Sequence, residues 1–151
     1  MVASEDRGWY DRATRALAAA GYRRGGARQA LLELLDAQPC GRSAVEIEDL
    51  LRRRSKATRP VSRASIYRIL DQLEALGLVA RLEVGQGVVR FEAAREGGGH
   101  HHHLICDVCG TLTPFTDDEL ERTIHAVSRR VALNVSEHEV VLHGACSDCS
   151  P

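Results

Sequence analysis

The sequence contains no long hydrophobic run. None of its 151 residues belongs to a stretch approaching the roughly 20 apolar residues that a membrane-spanning helix requires. The first 20 residues carry six charged side chains and no apolar segment, so they do not resemble a secretory signal. We therefore expect a protein without membrane contact that works in the reducing cytoplasm.

The motifs of common enzyme classes are also missing. The sequence has no GxSxG, no P-loop and no HExxH. Zinc deaminases combine histidine, glutamate and CxxC, but they need an HxE or CxE motif followed by PCxxC, which this chain lacks. We predict that the protein is not an enzyme and takes no small organic substrate.

The two parts of the chain carry opposite charge. Residues 1–96 hold 17 basic side chains against 13 acidic ones, a net of +4, and residues 97–151 hold 3 against 8, a net of −5. Sixteen of those 17 basic residues are arginines, which suit bidentate contact with phosphate and guanine edges. A GC-rich genome also favours arginine, so the arginine bias carries little weight. The opposite net charges indicate that the two parts have different functions.

Four of the five cysteines form two CxxC pairs. Cys106 and Cys109 make the first pair, Cys146 and Cys149 the second, and 36 residues separate the pairs. Two residues between thiolates allow a tight turn to present both sulfurs to one ion, and tetrahedral zinc needs two such turns. Disulfides or a redox pair would be the alternative, but disulfides require an oxidising compartment. We predict a structural zinc site, with Cys40 left over.

Helical periodicity predicts four helices in the first half. The first two span residues 9–20 and 27–37. The third follows Ser43 and ends in a basic tail that includes Arg52, Arg53, Arg54 and Lys56. The fourth runs from Ser62 to Gly77. Serine is a favoured N-cap, and glycine commonly ends a helix. The positions predicted to face a core are Tyr10, Ala13, Leu17, Ala20, Ala30, Leu31, Leu34, Leu35, Ile47, Leu50, Leu51, Ile66, Ile69, Leu70, Leu73 and Leu76.

A change to period two follows the fourth helix. Residues 79–84 and 88–91 alternate around the turn Gly85-Gln86-Gly87, which predicts a β-hairpin. Helices followed directly by a hairpin indicate a winged helix-turn-helix, whose recognition helix enters the major groove N-terminus first. Its candidate DNA-binding side chains are Arg63, Ser65, Tyr67 and Arg68. The alternative is a similar helical unit that docks a protein and does not touch DNA.

A glycine-rich linker and four consecutive histidines come next. Residues 93–99, AAREGGG, have the composition of a flexible linker. In an extended segment, alternation sends His101 and His103 to one face and His100 and His102 to the other. Four imidazoles beside a cysteine site predict metal ligation by at least two of them.

The last third predicts a small mixed sheet with one helix. Strands are expected at 111–115 and 138–144, and a helix at 117–130 with Ile124, Val127 and Val131 facing inward. Because three strands and one helix make a small unit, we expect the sheet to continue across a homodimer interface. The predicted fold class is α+β, with a winged-helix domain at 1–93, a hinge at 94–99 and a small α/β metal-binding dimerisation domain at 100–151.

Taken together, these motifs resemble the ferric uptake regulator (Fur) family of metal-dependent repressors. The resemblance extends from about residue 20 to residue 149. It is carried by SIYRILDQLEALGLV at 65–79, FE at 91–92, HHHHLICDVCG at 100–110 and HGACSDC at 143–149. It implies a cytoplasmic homodimer that binds a palindromic operator in double-stranded DNA when Zn²⁺ or Fe²⁺ is bound.

The resemblance also implies roles for individual residues. The four paired cysteines match the family's structural zinc site. Glu92, His101 and His103 match a regulatory metal site at the hinge, and His100, His102, Glu121 and His138 match a further site in the dimerisation domain. Arg28, Ser65, Tyr67 and Arg68 match positions that approach DNA.

The sequence departs from the family pattern at several positions. The loop PCGRSA at 39–44 has no histidine where the family often supplies one, but Cys40 lies within about one residue of that place. A soft thiolate there would favour zinc over iron. Pro114 replaces a carboxylate common in iron and peroxide sensors, while Ala80 and the linker lack ligands expected of many actinobacterial zinc sensors. The sensed ion stays open, and so do two alternatives: a peroxide-sensing regulator and a zinc-stabilised adaptor without DNA binding.

Overall fold

The structure, a computed structural model, describes residues 7–55, 60–97 and 100–150. The chain divides into two compact units, Met1–Gly98 and Gly99–Pro151, called here unit 1 and unit 2. Lys56 of the predicted basic tail and residues 98–99 of the predicted hinge lie outside the described residues. Within the described ranges, no helix is long and apolar enough to cross a membrane.

Unit 1 contains the four predicted helices: α1 (Arg7–Ala19), α2 (Gly26–Asp36), α3 (Ala44–Arg54) and α4 (Arg63–Ala75). Ser43 begins α3 with a capping box, in which its hydroxyl accepts from the Glu46 N–H at 3.2 Å and its own N–H donates to Glu46 Oε2 at 2.7 Å. The Ser62 hydroxyl accepts from the Ser65 N–H at the start of α4. Local sequence therefore fixes where the two helices of the helix-turn-helix begin.

The core of unit 1 lies among these helices and follows the predicted pattern with two errors. Most predicted positions are buried, while Tyr10, Ala30 and Leu50 are half-buried. Ala20 and Leu76 are exposed, and both predictions were wrong because each residue lies just past the last helical residue, where the chain turns at a glycine with positive φ. The periodicity that places a side chain inward no longer applies there.

A three-stranded antiparallel sheet completes unit 1. It consists of β1 (Arg42–Ser43), β2 (Val79–Glu83) and β3 (Val89–Ala93), in the order β1-β3-β2. The hairpin β2–β3 was predicted, and its turn has positive φ at residues 85–87. The two-residue strand β1 was not predicted, because two residues carry no periodicity.

The residues that follow β3 are held to unit 1. The Ala94 N–H donates to the Leu78 carbonyl at 2.9 Å, and its own carbonyl accepts from Arg12. Arg95 pairs with Asp36 at 3.2 Å. The first part of the predicted linker is thus anchored by backbone and charged contacts.

Unit 2 is a mixed sheet with one helix, as the pattern predicted. Its elements are β4 (His102–Cys106), β5 (Leu112–Phe115), α5 (Asp118–Arg130) and β6 (Val141–Gly144). The strand order is β5-β4-β6, with β4 antiparallel to β5 and parallel to β6. The last strand begins three residues later than predicted.

The predicted inward face of α5 is not buried within the chain. No described side chain of α5 is buried; Ile124 is half-buried, and Val127 and Val131 are 40% and 61% exposed. The prediction was wrong for Val127 and Val131 because helical periodicity identifies an apolar face but not what covers it.

Candidate metal centres

The four paired cysteines converge at one end of the sheet in unit 2. Their sulfurs all lie within 4.8 Å of one another. Cys109 Sγ and Cys146 Sγ are 3.8 Å apart, and a regular tetrahedron with zinc–sulfur bonds of about 2.3 Å has edges of about 3.8 Å. The donor set and its spacing therefore fit tetrahedral zinc.

The pairing of β4 with β6 brings the two CxxC turns together. Cys106 lies opposite Gly144 in the parallel register. The CxxC turn after β4 and the CxxC turn after β6 therefore lie side by side. Gly110 adopts φ 75° where the first turn closes, a conformation that favours glycine. Each turn is also closed by a backbone hydrogen bond to the carbonyl of its first cysteine.

Hydrogen bonds shift the pKa values of these thiols in different directions. Backbone N–H groups of Cys109 and Cys146 donate to Cys106 Sγ and lower the pKa of Cys106 to about 6. Bonding to the sulfurs of Cys146 and Cys109 raises the pKa of Cys149 to about 12. Four thiolates repel one another unless a cation lies between them, so the cluster favours a bound divalent ion.

A second cluster in unit 2 joins three imidazoles and one carboxylate. Ligand atoms of His100, His102, Glu121 and His138 lie within 4.8 Å of one another. Glu121 Oε1 is 2.6 Å from His102 Nε2, and Glu121 Oε2 is 2.9 Å from His138 Nε2. Burial by itself would raise the pKa of Glu121, but the bond from His102 and the nearby His138 lower it overall. A charged carboxylate among imidazoles is a suitable ligand set for Zn²⁺ or Fe²⁺.

The imidazole of His102 is fixed in orientation. Its side chain is fully buried, and its Nδ1 accepts the Val140 N–H at 3.2 Å. Because Nδ1 accepts this N–H, Nε2 carries the proton of the neutral ring and is directed at Glu121 Oε1. Burial, and then the charge of His138, lowers the pKa of His100, which favours the neutral form that ligates metal.

Sequence reasoning missed several polar groups around these clusters. His125, one helical turn after Glu121, lines the same cavity of about 520 Å³ as His100 and His138. His143 Nδ1 contacts Asp107 Oδ1 at 3.0 Å and so connects β6 to the first CxxC turn. Only the four-residue spacing of His125 from Glu121 was visible in the sequence. The partner of His143 depends on strand pairing.

The predicted regulatory ligands form one pair in each unit. In unit 1, Cys40 is buried just before β1, whose Arg42 pairs with Phe91 of β3, the residue before Glu92. A Cβ on Gly41 would lie 3.7 Å from Glu92 Oε2. In unit 2, the ring centroids of His101 and His103 are 5.0 Å apart. Each unit thus presents two donors of the predicted set.

The predicted DNA-binding side chains are not equally available. Tyr67 and Arg68 are exposed on the first turns of α4, and Tyr67 packs edge-on against Phe91. Arg28 donates to the Arg23 carbonyl and to Gln72 Oε1, so its guanidinium joins α2 to α4. Arg63 is paired with a carboxylate of α3.

Comparison with known proteins identifies similar chains. The model of the family described as "Ferric uptake regulator family" matches residues 19–143. The ferric uptake regulation protein of Bacillus subtilis is 30% identical over 142 residues, covering 93% of each chain. The zinc uptake regulation protein of Mycobacterium tuberculosis is 33% identical over 133 residues, covering 88% of this chain and 98% of that protein.

Solved structures agree with these sequence matches. The Helicobacter pylori ferric uptake regulator, described as having three functional metal binding sites, matches with a TM-score of 0.79 and 25% identity, covering 97% of this chain and 94% of that one. The Vibrio cholerae ferric uptake regulator matches with a TM-score of 0.73 and 30% identity, over 88% of this chain and 98% of that one. The predicted α+β fold class is confirmed.

Proposed function

Because the chain belongs to the ferric uptake regulator family, as its motifs predicted, we propose that it is a metal-responsive, DNA-binding transcriptional repressor with Zn²⁺ or Fe²⁺ as co-repressor. It acts in the cytoplasm on double-stranded DNA and is not an enzyme. The observation that carries this proposal is the presence in one small unit of two separate convergent donor sets, one of thiolates and one of imidazoles with a carboxylate.

The two donor sets suit different functions. Four thiolates in a closed tetrahedral arrangement hold zinc permanently and contribute folding free energy. Neutral imidazoles with one carboxylate bind divalent ions more reversibly and with less selectivity. We assign the cysteines to structural zinc and the cluster around Glu121 to an additional exchangeable site.

The regulatory ion uses the two donor pairs that the separate units present. Glu92, with Cys40 as a further ligand, comes from unit 1, and His101 and His103 come from unit 2. An ion bound by all of them stabilises only the domain arrangement in which they converge. Residues 94–99 act as the hinge, although Ala94 and Arg95 are already held to unit 1.

This linkage makes DNA binding depend on metal. In a homodimer, fixing the hinge sets the separation of the two α4 helices, so both reach successive major-groove faces of a palindromic operator. A coupling of about 1–3 kcal/mol corresponds to roughly five- to 150-fold tighter operator binding, which is enough for a switch. Metal excess then represses genes for metal uptake.

The ligand chemistry favours zinc where Cys40 takes part. A buried cysteine beside Glu92 supplies a soft thiolate, whereas iron sensing relies on imidazoles and carboxylates. Titrating metal-depleted protein with Zn²⁺ and Fe²⁺ while DNA affinity is followed distinguishes the two ions.

The test is a double substitution, His101→Ala with His103→Ala. A duplex is first selected from a random pool by the zinc-loaded protein, and binding is measured with and without added metal. We expect the double variant to lose metal-dependent binding while it keeps one zinc per chain. His125→Ala is a matched control, because it removes an exposed histidine of unit 2 that belongs to none of the three proposed ligand sets.

Three outcomes would contradict the proposal. Equal DNA affinity with and without metal in the parent protein excludes a metal-responsive repressor, and no salt-sensitive DNA affinity at all supports an adaptor instead. Iron-catalysed oxidation of a ligand histidine, detected by mass spectrometry, would support a peroxide sensor.

A further inference from the structure

Glu48 of α3 holds the first residue of the recognition helix α4. Its Oε2 accepts from Arg63 Nε at 2.7 Å and contacts Arg63 Nη2 at 2.6 Å, while its Oε1 lies 3.4 Å from Arg52 Nη2. The Glu48 side chain is only 16% exposed, whereas that of Arg63 is 53% exposed. A largely buried carboxylate therefore binds two arginines that border solvent.

The position of Arg63 makes this contact relevant to DNA. As the first residue of α4, it lies where the free N–H groups and the helix dipole attract phosphate. An arginine at this place would normally add to that attraction. Here Glu48 occupies the guanidinium and brings a negative charge to the same region.

We propose that Glu48 is an intramolecular competitor of DNA phosphate. It keeps Arg63 against α3 and so limits the sequence-independent affinity of the helix-turn-helix for duplex DNA. Because phosphate contacts carry no sequence information, this competition acts on the part of the affinity that does not depend on sequence. This inference rests on the DNA-binding function proposed above and assigns Glu48 a positioning function through Arg63.

Glu48→Gln tests the idea, with Asp49→Asn as the matched control. Both changes remove one negative charge from neighbouring positions of α3, but Asp49 pairs with Arg52 at 3.0 Å and not with Arg63. Binding of the zinc-loaded proteins to a duplex of random sequence is measured over a series of salt concentrations. For Glu48→Gln, the slope of log K against log salt should steepen by about 0.9 for each protomer whose Arg63 reaches a phosphate. Over a roughly fourfold range of salt, the ratio of low-salt to high-salt affinity should therefore rise about threefold per contact above that of the parent. Asp49→Asn should give neither effect.

A second pair of variants separates release of Arg63 from a general gain of positive charge. In an Arg63→Ala background, Glu48→Gln should leave the salt slope unchanged, because the arginine that it would release is gone. Circular dichroism confirms that each variant is folded. A steeper slope that persists in that background, or equal slopes for Glu48→Gln, Asp49→Asn and the parent, would overturn the proposal. A parent protein that binds no duplex would instead overturn the proposed function.

Discussion

Loss of the cysteine-bound ion should unfold unit 2 and leave unit 1 folded. Among the described residues of unit 2, the buried apolar side chains are those of Ile105, Cys106 and Leu112. Burying Ile105 and Leu112 contributes roughly 1.5–3 kcal/mol each. Structural zinc contributes about 10–16 kcal/mol in comparable small domains. The ion therefore stabilises the unit more than its apolar core does, and Cys106→Ser, which removes one of four ligands, should prevent the unit from folding.

Two spectroscopic signals report on the two units separately. Trp9, the only tryptophan of the chain, is buried in unit 1 and donates from Nε1 to the Leu78 carbonyl at 2.8 Å. Among the described residues, unit 1 supplies 48 helical residues and α5 supplies 13. Cys106→Ser should therefore lower the helical circular dichroism by about a fifth while tryptophan emission stays that of the parent protein. Metal analysis should show at least one zinc fewer per chain.

The control is Cys40→Ser, which removes the one cysteine outside both CxxC pairs. Its structural zinc and α5 signal should match those of the parent. If Cys106→Ser kept its zinc and helical signal, the reasoning about the small core would be refuted. If tryptophan emission changed in the same transition, the two units would fold as one.

A further prediction concerns a single position of unit 1. Gly41→Ala should destabilise unit 1 by about 1 kcal/mol, the low end for overpacking, because the new Cβ would meet the movable Leu82 Cδ1 at 2.9 Å. Urea unfolding followed by tryptophan emission measures this loss, and an unchanged midpoint would contradict it.

Local patterns predicted unit 1 well because its helices carry their own boundary signals. Ser43 with Glu46 three residues later is a capping box in sequence and in structure. The alternation around residues 85–87 likewise predicted the β2–β3 hairpin. Strand β1 was missed because its pairing with β3 joins residues nearly 50 positions apart, and its two residues show no period.

The ligand residues of the metal clusters could be predicted from the sequence, but the groups that hydrogen-bond around them could not. Spacing within each CxxC pair and alternation along HHHH depend on neighbouring residues, so both could be interpreted from the sequence. The backbone N–H from Val140 that fixes His102, and the contact between His143 and Asp107, depend on β6 lying parallel to β4. Those groups become visible only when the chain is folded.

The exposed apolar side chains of unit 2 bear on the proposed homodimer. Leu104 on β4 is paired in register with Leu142 on β6, and both are partly exposed, as are Val127 and Val131 of α5. The sequence predicted an apolar face on α5, and the folded chain leaves that face uncovered. A unit with so small a core gains most by burying such a face against another surface. A second copy of the chain, as in the proposed dimer, would provide that surface while placing two α4 helices on one operator.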